Sequence, residues 1–360
     1  MKTETFCWAL TSQGASQARR IAAGLGGRVC LPQRLAAEGE QGFVRLAEAV
    51  AGCWQAERHV FVAAAGLVVR CIAPLLTRKD QDPAVVVCDQ NGRFAVSLLS
   101  GHLGRSNELA AAVASILGAQ AVITTGTDTA GLPAFDLLAD QAGCAFADLA
   151  EVRAVSAALL EGKPVTVRDP LGILDAEIID NCPQCLMLRD DADTDCGVGV
   201  VVTLAPLAPR PGLLRLHPRR VHVGVGCRRG VPGDSIERSI RLALELADIS
   251  PLCVASLASA DLKAGEPGLH EAVRTFGVAV QYFSTEAIAA CPVPHPSAKA
   301  AEILGVERAG VCEAAALLAA GPGACLLQGK QVFTAAGRLV EDDTHSGMVT
   351  VALACENRSF

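Results

Sequence analysis

Aromatic side chains are scarce in this chain: one tyrosine, two tryptophans and ten phenylalanines make up 4% of 360 residues. A surface that grips single-stranded nucleic acid by stacking its bases on rings is therefore not expected. Basic residues are in deficit too, 31 against 38 acidic for a net charge of −7, which disfavours sequence-blind attraction to nucleic acid or to anionic membranes. Long apolar runs are missing. The longest, Val60 to Val69, stops at Arg70, and Glu4 interrupts the apolar core that a signal peptide would need. The expectation is a cytoplasmic chain that does not enter the membrane. Neither a GxxxxGK[ST] phosphate loop nor a GxSxG nucleophile elbow occurs, which disfavours a nucleotide-dependent enzyme and excludes an α/β-hydrolase on motif grounds.

The cysteines, 15 in number, are scattered and fall below the density of a disulfide scaffold, so most read as small buried hydrophobes in a reducing compartment. A single CxxC, Cys182-Pro-Gln-Cys185, has Cys196 nearby, but the nearest histidines beyond it, His217 and His222, lie more than thirty positions on. That is half a zinc site, so no protein-bound metal is expected.

What the chain has in plenty is Ala, Val, Leu and Gly, with 51% hydrophobic residues, a composition suited to parallel strands covered by small-residue helices. Strand and helix patterns alternate along it. Phe6 to Leu10 reads as a strand, Ala15 to Ala23 as a helix ended by Gly24, and His59 to Ala64 as a second strand. Val85 to Cys88 and Phe94 to Leu99 are joined through Asp89-Gln90-Asn91-Gly92, a strong hairpin signal. Leu204 to Leu213 is rich in Pro and reads as a linker. Beyond it, strand (Val221 to Val225), helix (Ser235 to Ala247, capped by Asp234 or Ser235), strand (Leu252 to Leu257), helix (Pro267 to Phe276) and strand (Val278 to Phe283) follow, then a helix over Val311 to Ala320 and a terminal hairpin. The expected architecture is α/β throughout: a three-layer α/β/α N-terminal domain over residues 1–140, a small central α/β domain with the Pro-rich linker over 141–215, and a C-terminal α/β domain over 216–360.

Two polar clusters stand out. In FAVSLLSGHLGRSN, Phe94 to Asn107, an apolar strand runs into Ser100, Gly101 and His102 and then into a helix start, whose N–H groups and positive dipole end suit an anion or oxyanion. Ser100 and His102, two apart in an extended segment, would project to one side. The second cluster, Thr124, Thr125, Gly126, Thr127 and Asp128, follows the short strand Ala121 to Ile123. Ligands of open α/β sheets bind beyond the carboxyl ends of strands, so both clusters are expected on one rim. Asp128 taken alone reads as a cap or turn residue before it reads as a catalytic group. In VGVGCRRG the glycines Gly224, Gly226 and Gly230 match a dinucleotide fingerprint poorly, but Arg228 and Arg229 beside backbone N–H groups suit a polycarboxylate. His217, His222, His270, His295 and His345 stand singly and read as surface or satisfied histidines.

At these residues the chain resembles a known family. The LVVR segment with Arg70, the run from Lys79 through Asp82-Pro83, the LLSGH strand end and the TT-x-TD cluster resemble the N-terminal part of the cobalt-precorrin-5A hydrolase (CbiG) family of anaerobic cobalamin synthesis. VGVGCRRG, the loop Lys263 to Glu266, CEAAALLAAG at Cys312 to Gly321 and the closing VTVALA resemble the domain this family shares with CobE-type proteins. Two departures stand against the family pattern: Gly104-Arg105-Ser106-Asn107 replaces Gly-Gly-Ala-Asn, and Gly126 replaces the alanine of Thr-Thr-Ala-Thr-Asp.

The resemblance implies a reaction in which water opens the δ-lactone joining the ring A acetate to the methylated C20 bridge, and C20 leaves with its methyl group as acetaldehyde. Ester opening needs a base, oxyanion donors and a fixed macrocycle, and the residues present supply candidates: His102 as base, Asp128 as its orienter, Ser100 holding the water or lactone oxygen, and N–H groups near Leu103 and Gly104 as oxyanion donors. Substrate-binding residues would be Arg70, Lys79, Gly101, Gly104, Asn107, Thr124, Thr125, Thr127, Arg228 and Arg229. Cobalt arrives within the substrate, so no cofactor is expected. The partner is a cobalt-corrinoid, with transient contact to neighbouring pathway enzymes and homo-oligomerisation both open. A non-catalytic carrier of cobalt-corrinoid intermediates is the alternative reading.

Overall fold

The computed structural model describes residues 4–78, 81–101, 104–188, 197–298, 301, 302, 305, 310–340 and 348–356. The chain divides into two compact units, Met1–Leu138 and Ala139–Phe360. The first is built on one seven-stranded sheet of order β3-β2-β1-β4-β5-β6-β7. β1 (Thr5–Ala9), β2 (Arg28–Pro32), β3 (Gln41–Phe43), β4 (Arg58–Val62) and β5 (Ala84–Cys88) run parallel. β6 (Phe94–Leu99) returns antiparallel to β5, and β7 (Gln120–Val122) runs parallel to β6.

β1 and β5 are buried at every position, which is why they read as continuous apolar runs: both faces of the sheet are covered. Cys7, Val60 and Val86 pack with α1 (Ser12–Leu25) and α4 (Ser106–Leu117), whereas Phe6, Trp8, Phe61 and Val87 pack with α2 (Leu46–Cys53) and α3 (Ala65–Ile72). The expected three layers are therefore present. α1 runs past the expected stop at Gly24 and ends at Gly26, in the left-handed region with φ 69°. Gly24 serves helix packing instead, because a Cβ there would come within 2.6 Å of Ile116 Cδ1 on α4.

In the second unit, β8 (Cys144–Ala145), β9 (Val165–Arg168), β10 (Cys185–Leu188), β11 (Gly199–Val202) and β12 (Leu213–Pro218) form a sheet of order β10-β9-β11-β12-β8. Three helices accompany this stretch, α6 (Phe135–Gln141) before it, α7 (Leu149–Leu160) and α8 (Ala176–Asp180), the short α5 (Gly126–Ala130) belonging to the first unit. The Pro-rich run Leu204 to Leu213 joins β11 to its parallel neighbour β12, so it is a crossover within one sheet and not a linker. Cys185 opens β10, and buried Cys182 donates from Sγ to Gln184 Oε1 at 3.3 Å. Cys196 lies outside the described residues.

The last sheet has the order β15-β14-β13-β17-β16. Its strands are β13 (Val221–Cys227), β14 (Val254–Ala260), β15 (Ala279–Phe283), β16 (Cys325–Phe333) and β17 (Val349–Cys355). α9 (Gly233–Leu246) and α10 (Pro267–Phe276) cover one face; α11 (Thr285–Ala290) and the Ala-rich α12 (Val311–Ala320) cover the other. Gly224 exists for α12: a Cβ there would sit 1.8 Å from the Cys312 carbonyl oxygen. The expected cap of α9 is not formed. Pro232 is its N-cap residue without a side-chain bond, and the Ser235 hydroxyl donates to the Ala335 carbonyl, tying the helix to the chain after β16.

Under α2 and α3, His59 is completely buried and stacked among Phe6, Trp8, Trp54 and Phe61 at centroid distances of 5.4 to 6.2 Å. Trp8 Nε1 donates to His59 Nδ1 at 3.1 Å, so the neutral ring carries its proton on Nε2, which makes no hydrogen bond of good geometry. Burial pushes the imidazole from its ordinary 6.5 down to about 4, the carbonyls of Cys53 and Trp54 offsetting only part of the effect. Between these two values the unfolded chain takes up a proton that the native state refuses. Stability should therefore fall as pH drops from about 6.5 towards 4, by about 2 kcal/mol between pH 7 and 5. Urea unfolding followed by circular dichroism checks this. His59→Phe should flatten that part of the pH profile, and an equal slope in both proteins would remove His59 as its cause.

Candidate functional site

The two polar clusters do meet on one rim. β6 and β7 are parallel, so the loops after Leu99 and Val122 leave from the same end. It is the carboxyl end of these two strands but not of the whole sheet. Leu99 pairs with Val85 near the start of β5, so the rim lies at the carboxyl ends of β6 and β7 but the amino ends of β4 and β5. The hairpin reverses the chain, and the carboxyl-end rule applies only to the two returning strands.

Ser100 leaves the extended conformation with φ 59°, a left-handed value that few non-glycine residues adopt. The two-apart argument that aims Ser100 and His102 together therefore fails at its first residue. Ser100 is 6% exposed and turned inward, donating from Oγ to the Asp82 carbonyl at 2.9 Å. The loop then folds back on itself. Ser106 N donates to the Ser100 carbonyl at 3.0 Å, and Asn107 N to that of Gly101 at 3.1 Å. Two N–H groups of the α4 amino terminus, expected to face a ligand, are thus satisfied by the loop's own carbonyls. His102 and Leu103 lie outside the described residues.

The glycines are required by this fold-back. A Cβ on Gly104 would lie 2.4 Å from Ser100 Cβ and 2.9 Å from its carbonyl oxygen; one on Gly101 would lie 3.1 Å from Asn107 Oδ1 and 3.2 Å from Thr125 Cγ2. Arg105 is the N-cap residue of α4 at φ 61°, and its guanidinium meets the Glu108 carboxylate, with Nη2 to Oε2 at 2.7 Å. The positive charge that Arg105 brings to the helix start is therefore matched by an acid one turn on. Ser106, alanine in the family pattern, is buried, and its hydroxyl donates to the Val85 carbonyl at 2.8 Å.

Asn107 joins the clusters. Its Nδ2 donates to Thr125 Oγ1 at 2.8 Å and to Asp128 Oδ2 at 2.9 Å, so one carboxamide holds both the loop after β7 and the exposed carboxylate of Asp128. Thr124 is exposed, Thr125 half-buried and Thr127 buried. Beside the fold-back, a cavity of about 360 Å³ is lined by Trp54, Arg58, Asp82, Pro83, Gly104 and Arg105, among others. Asp82, which in the sequence is one residue of the run from Lys79 to Pro83, is a supporting residue: its buried carboxylate accepts from Thr77 N at 3.0 Å and Thr77 Oγ1 at 3.1 Å. An acid directly before a proline was the available signal.

Not every candidate joins this rim. Arg70 stays on its own helix, donating from Nη1 to the Gly66 carbonyl at 3.0 Å, and Lys79 lies outside the described residues. Arg228 and Arg229 belong to the second unit, exposed on the loop after β13. There the Gly230 N–H is already engaged by Glu266 Oε2 at 3.1 Å, and Lys263 Nζ lies 3.3 Å from Oε1. That backbone bond, helped by Lys263 and the charge of Arg229, holds the Glu266 carboxyl below its ordinary range. The turn thus holds a carboxylate of the chain itself.

Among the described residues, no helix is long and apolar enough to cross a membrane. Three family models match the chain: cobalamin synthesis G N-terminal over residues 48–128, cobalamin biosynthesis central region over 133–218, and cobalamin synthesis G C-terminus over 221–354. The chain is 34% identical over 297 residues to the cobalt-precorrin-5A hydrolase of Salmonella typhimurium, covering 79% of this chain and 82% of that protein. To the cobalt-precorrin-5A hydrolase of Priestia megaterium it is 30% identical over 273 residues, 73% of this chain and 72% of that one. Among solved structures, CobE, a protein from the cobalamin biosynthetic pathway, matches 38% of this chain and 91% of its own at 29% identity, with a TM-score of 0.31.

Gly104→Ala should destabilise the protein by about 1–3 kcal/mol, because the added methyl meets the Ser100 main chain and not the end of a flexible side chain. Gly265→Ala is a control at a loop glycine that has no positive φ and no atom within 4 Å of the added carbon. Thermal unfolding compares the two. An equal loss at both positions would show that the fold-back is not tight.

Proposed function

The chain belongs to the cobalamin synthesis G family, and on that premise we propose that it is a cobalt-precorrin-5A hydrolase whose reacting centre is the rim at Ser100–Asn107 and Thr124–Asp128. The observation that carries the location is the Asn107 bridge, which fixes an exposed carboxylate beside the Ser-Gly-His loop. In this reading His102 takes the proton of a water that attacks the lactone carbonyl, and Asp128, held by Asn107, orients the imidazole. N–H groups at Leu103 and Gly104 stabilise the oxyanion, and Ser100 anchors their loop through Asp82. The acyl C–O bond breaks to free the ring A acetate. The oxygen left on C20 becomes the aldehyde oxygen as C20 departs with its methyl group, the electron pair remaining with the macrocycle. The carboxylate arms of the substrate call for cations, and Arg70, Lys79, Arg228 and Arg229 are the candidates. Cobalt enters bound in the substrate, and the protein works in the cytoplasm without a cofactor of its own.

Purified protein supplied with cobalt-precorrin-5A should release acetaldehyde, and retention of the corrinoid without release would favour the carrier instead. His102→Ala should lower release by about 10²- to 10⁴-fold, the usual worth of a general base; a loss of less than about tenfold would take that role from His102. Replacing Arg228 and Arg229 together by Ala should raise KM with a smaller change in kcat, as expected when binding common to ground and transition states is lost. An unchanged KM would exclude the two arginines from the site.

A further inference from the structure

The second unit carries a histidine held as a ligand is held. Glu313, in the first turn of α12, is completely buried, yet it accepts three hydrogen bonds: from His295 Nδ1 at 2.7 Å, from His295 N at 3.0 Å and from Lys330 N at 2.9 Å. Burial raises its pKa, but these bonds outweigh it and hold the carboxyl below its ordinary range. The Lys330 N–H is available because β16 departs from regular pairing here: between the pairs Gln328–Leu353 and Gln331–Val351, two residues, Gly329 and Lys330, oppose the single Ala352 of β17. Such bulges recur beside functional sites. Gly329 at the bulge lets the ring lie close: a Cβ there would be 3.1 Å from His295 Cε1 and 3.2 Å from Nδ1. With Nδ1 bound to a carboxylate, the neutral imidazole presents the Nε2 lone pair outward, and the side chain is 61% exposed. A carboxylate behind a histidine is the arrangement that orients metal-binding imidazoles and raises their basicity.

Glu313 is fully buried behind the ring and engaged by three donors, and no group of three or more His, Cys, Asp or Glu able to hold an ion occurs among the described residues. The site thus offers one donor. One donor does not hold a free ion, but it suffices for a metal whose other positions are filled by a macrocycle. The location agrees. Val311, at the start of α12, faces Gly226, so Glu313 lies at the end of β13 that leads into Arg228 and Arg229.

We propose that His295 Nε2 is an axial ligand to the cobalt of a bound corrinoid, with Glu313 as its positioning residue. The proposal rests on the corrinoid reading above. Its test uses cob(II)yrinic acid, a cobalt corrinoid with free carboxylate arms and no lower base, and the full-length chain. One bound axial ¹⁴N should split each high-field cobalt line of the electron paramagnetic resonance spectrum into a triplet, which becomes a doublet in protein labelled with ¹⁵N-histidine. His295→Ala, an exposed change, should lose the triplet and bind the probe about tenfold more weakly in equilibrium dialysis, the scale of an impaired metal site. Retention of the probe by the wild type with no splitting, or a triplet that survives in His295→Ala, overturns the axial bond alone. No retention of the probe by the wild type overturns the corrinoid reading and this inference together.

Discussion

The side chain of Asp89 decides where the candidate reacting centre can be. Its carboxylate accepts from Asn91 N at 3.1 Å, Arg93 N at 2.7 Å and Phe94 N at 2.9 Å, closing the turn between β5 and β6. Burial works against the charge, but the three amides outweigh it and keep the carboxyl below its ordinary range. A tight turn permits only an antiparallel return, so β6 runs against β5, and β7, reached through α4, runs with β6. The Ser-Gly-His loop and the Thr-Asp cluster consequently emerge where β4 and β5 begin. Had this connection been a helical crossover, both loops would face the opposite end of the sheet.

Legibility in the sequence follows the range of the forces involved. Asp89-Gln-Asn-Gly92 reads correctly as a hairpin because the turn is closed by atoms within five residues of each other. Helices α10 and α12 are legible to the residue, since Pro267, Gly277 and Gly321 mark their limits locally. Gly24 is misread as a helix stop and the role of Gly224 goes unread, because each serves a neighbour far along the chain, Ile116 in one case and Cys312 in the other. β2, β3 and α2, between residues 28 and 53, give no comparable signal, being short elements whose placement comes from the sheet they join. At the candidate site the residue types are legible, but their connections are not: nothing local in the sequence tells that Asn107 holds Asp128, or that the Ser100 hydroxyl turns inward to Asp82.

The two units handle carboxylates in contrasting ways. At the first rim Asp128 stays exposed, held by the Asn107 side-chain amide. In the second unit Glu266 and Glu313 are drawn in and bonded to backbone N–H groups, of Gly230 in one case and of His295 and Lys330 in the other. Each of these internal acids sits beside a candidate ligand-binding group, Arg229 or His295. A fixed internal negative charge next to an exposed cation or imidazole limits how that group can turn, which is what a site for a large, rigid, multiply charged ligand requires.

The aromatic stack around His59 contains both tryptophans of the chain, Trp8 and Trp54, whereas the single tyrosine, Tyr282, is on β15 of the other unit. The protein is thus optically partitioned. Tryptophan emission arises from the first unit alone, and the tyrosine signal from the second alone. A ligand or denaturant that acts on one unit before the other will alter these signals separately, without any label being introduced.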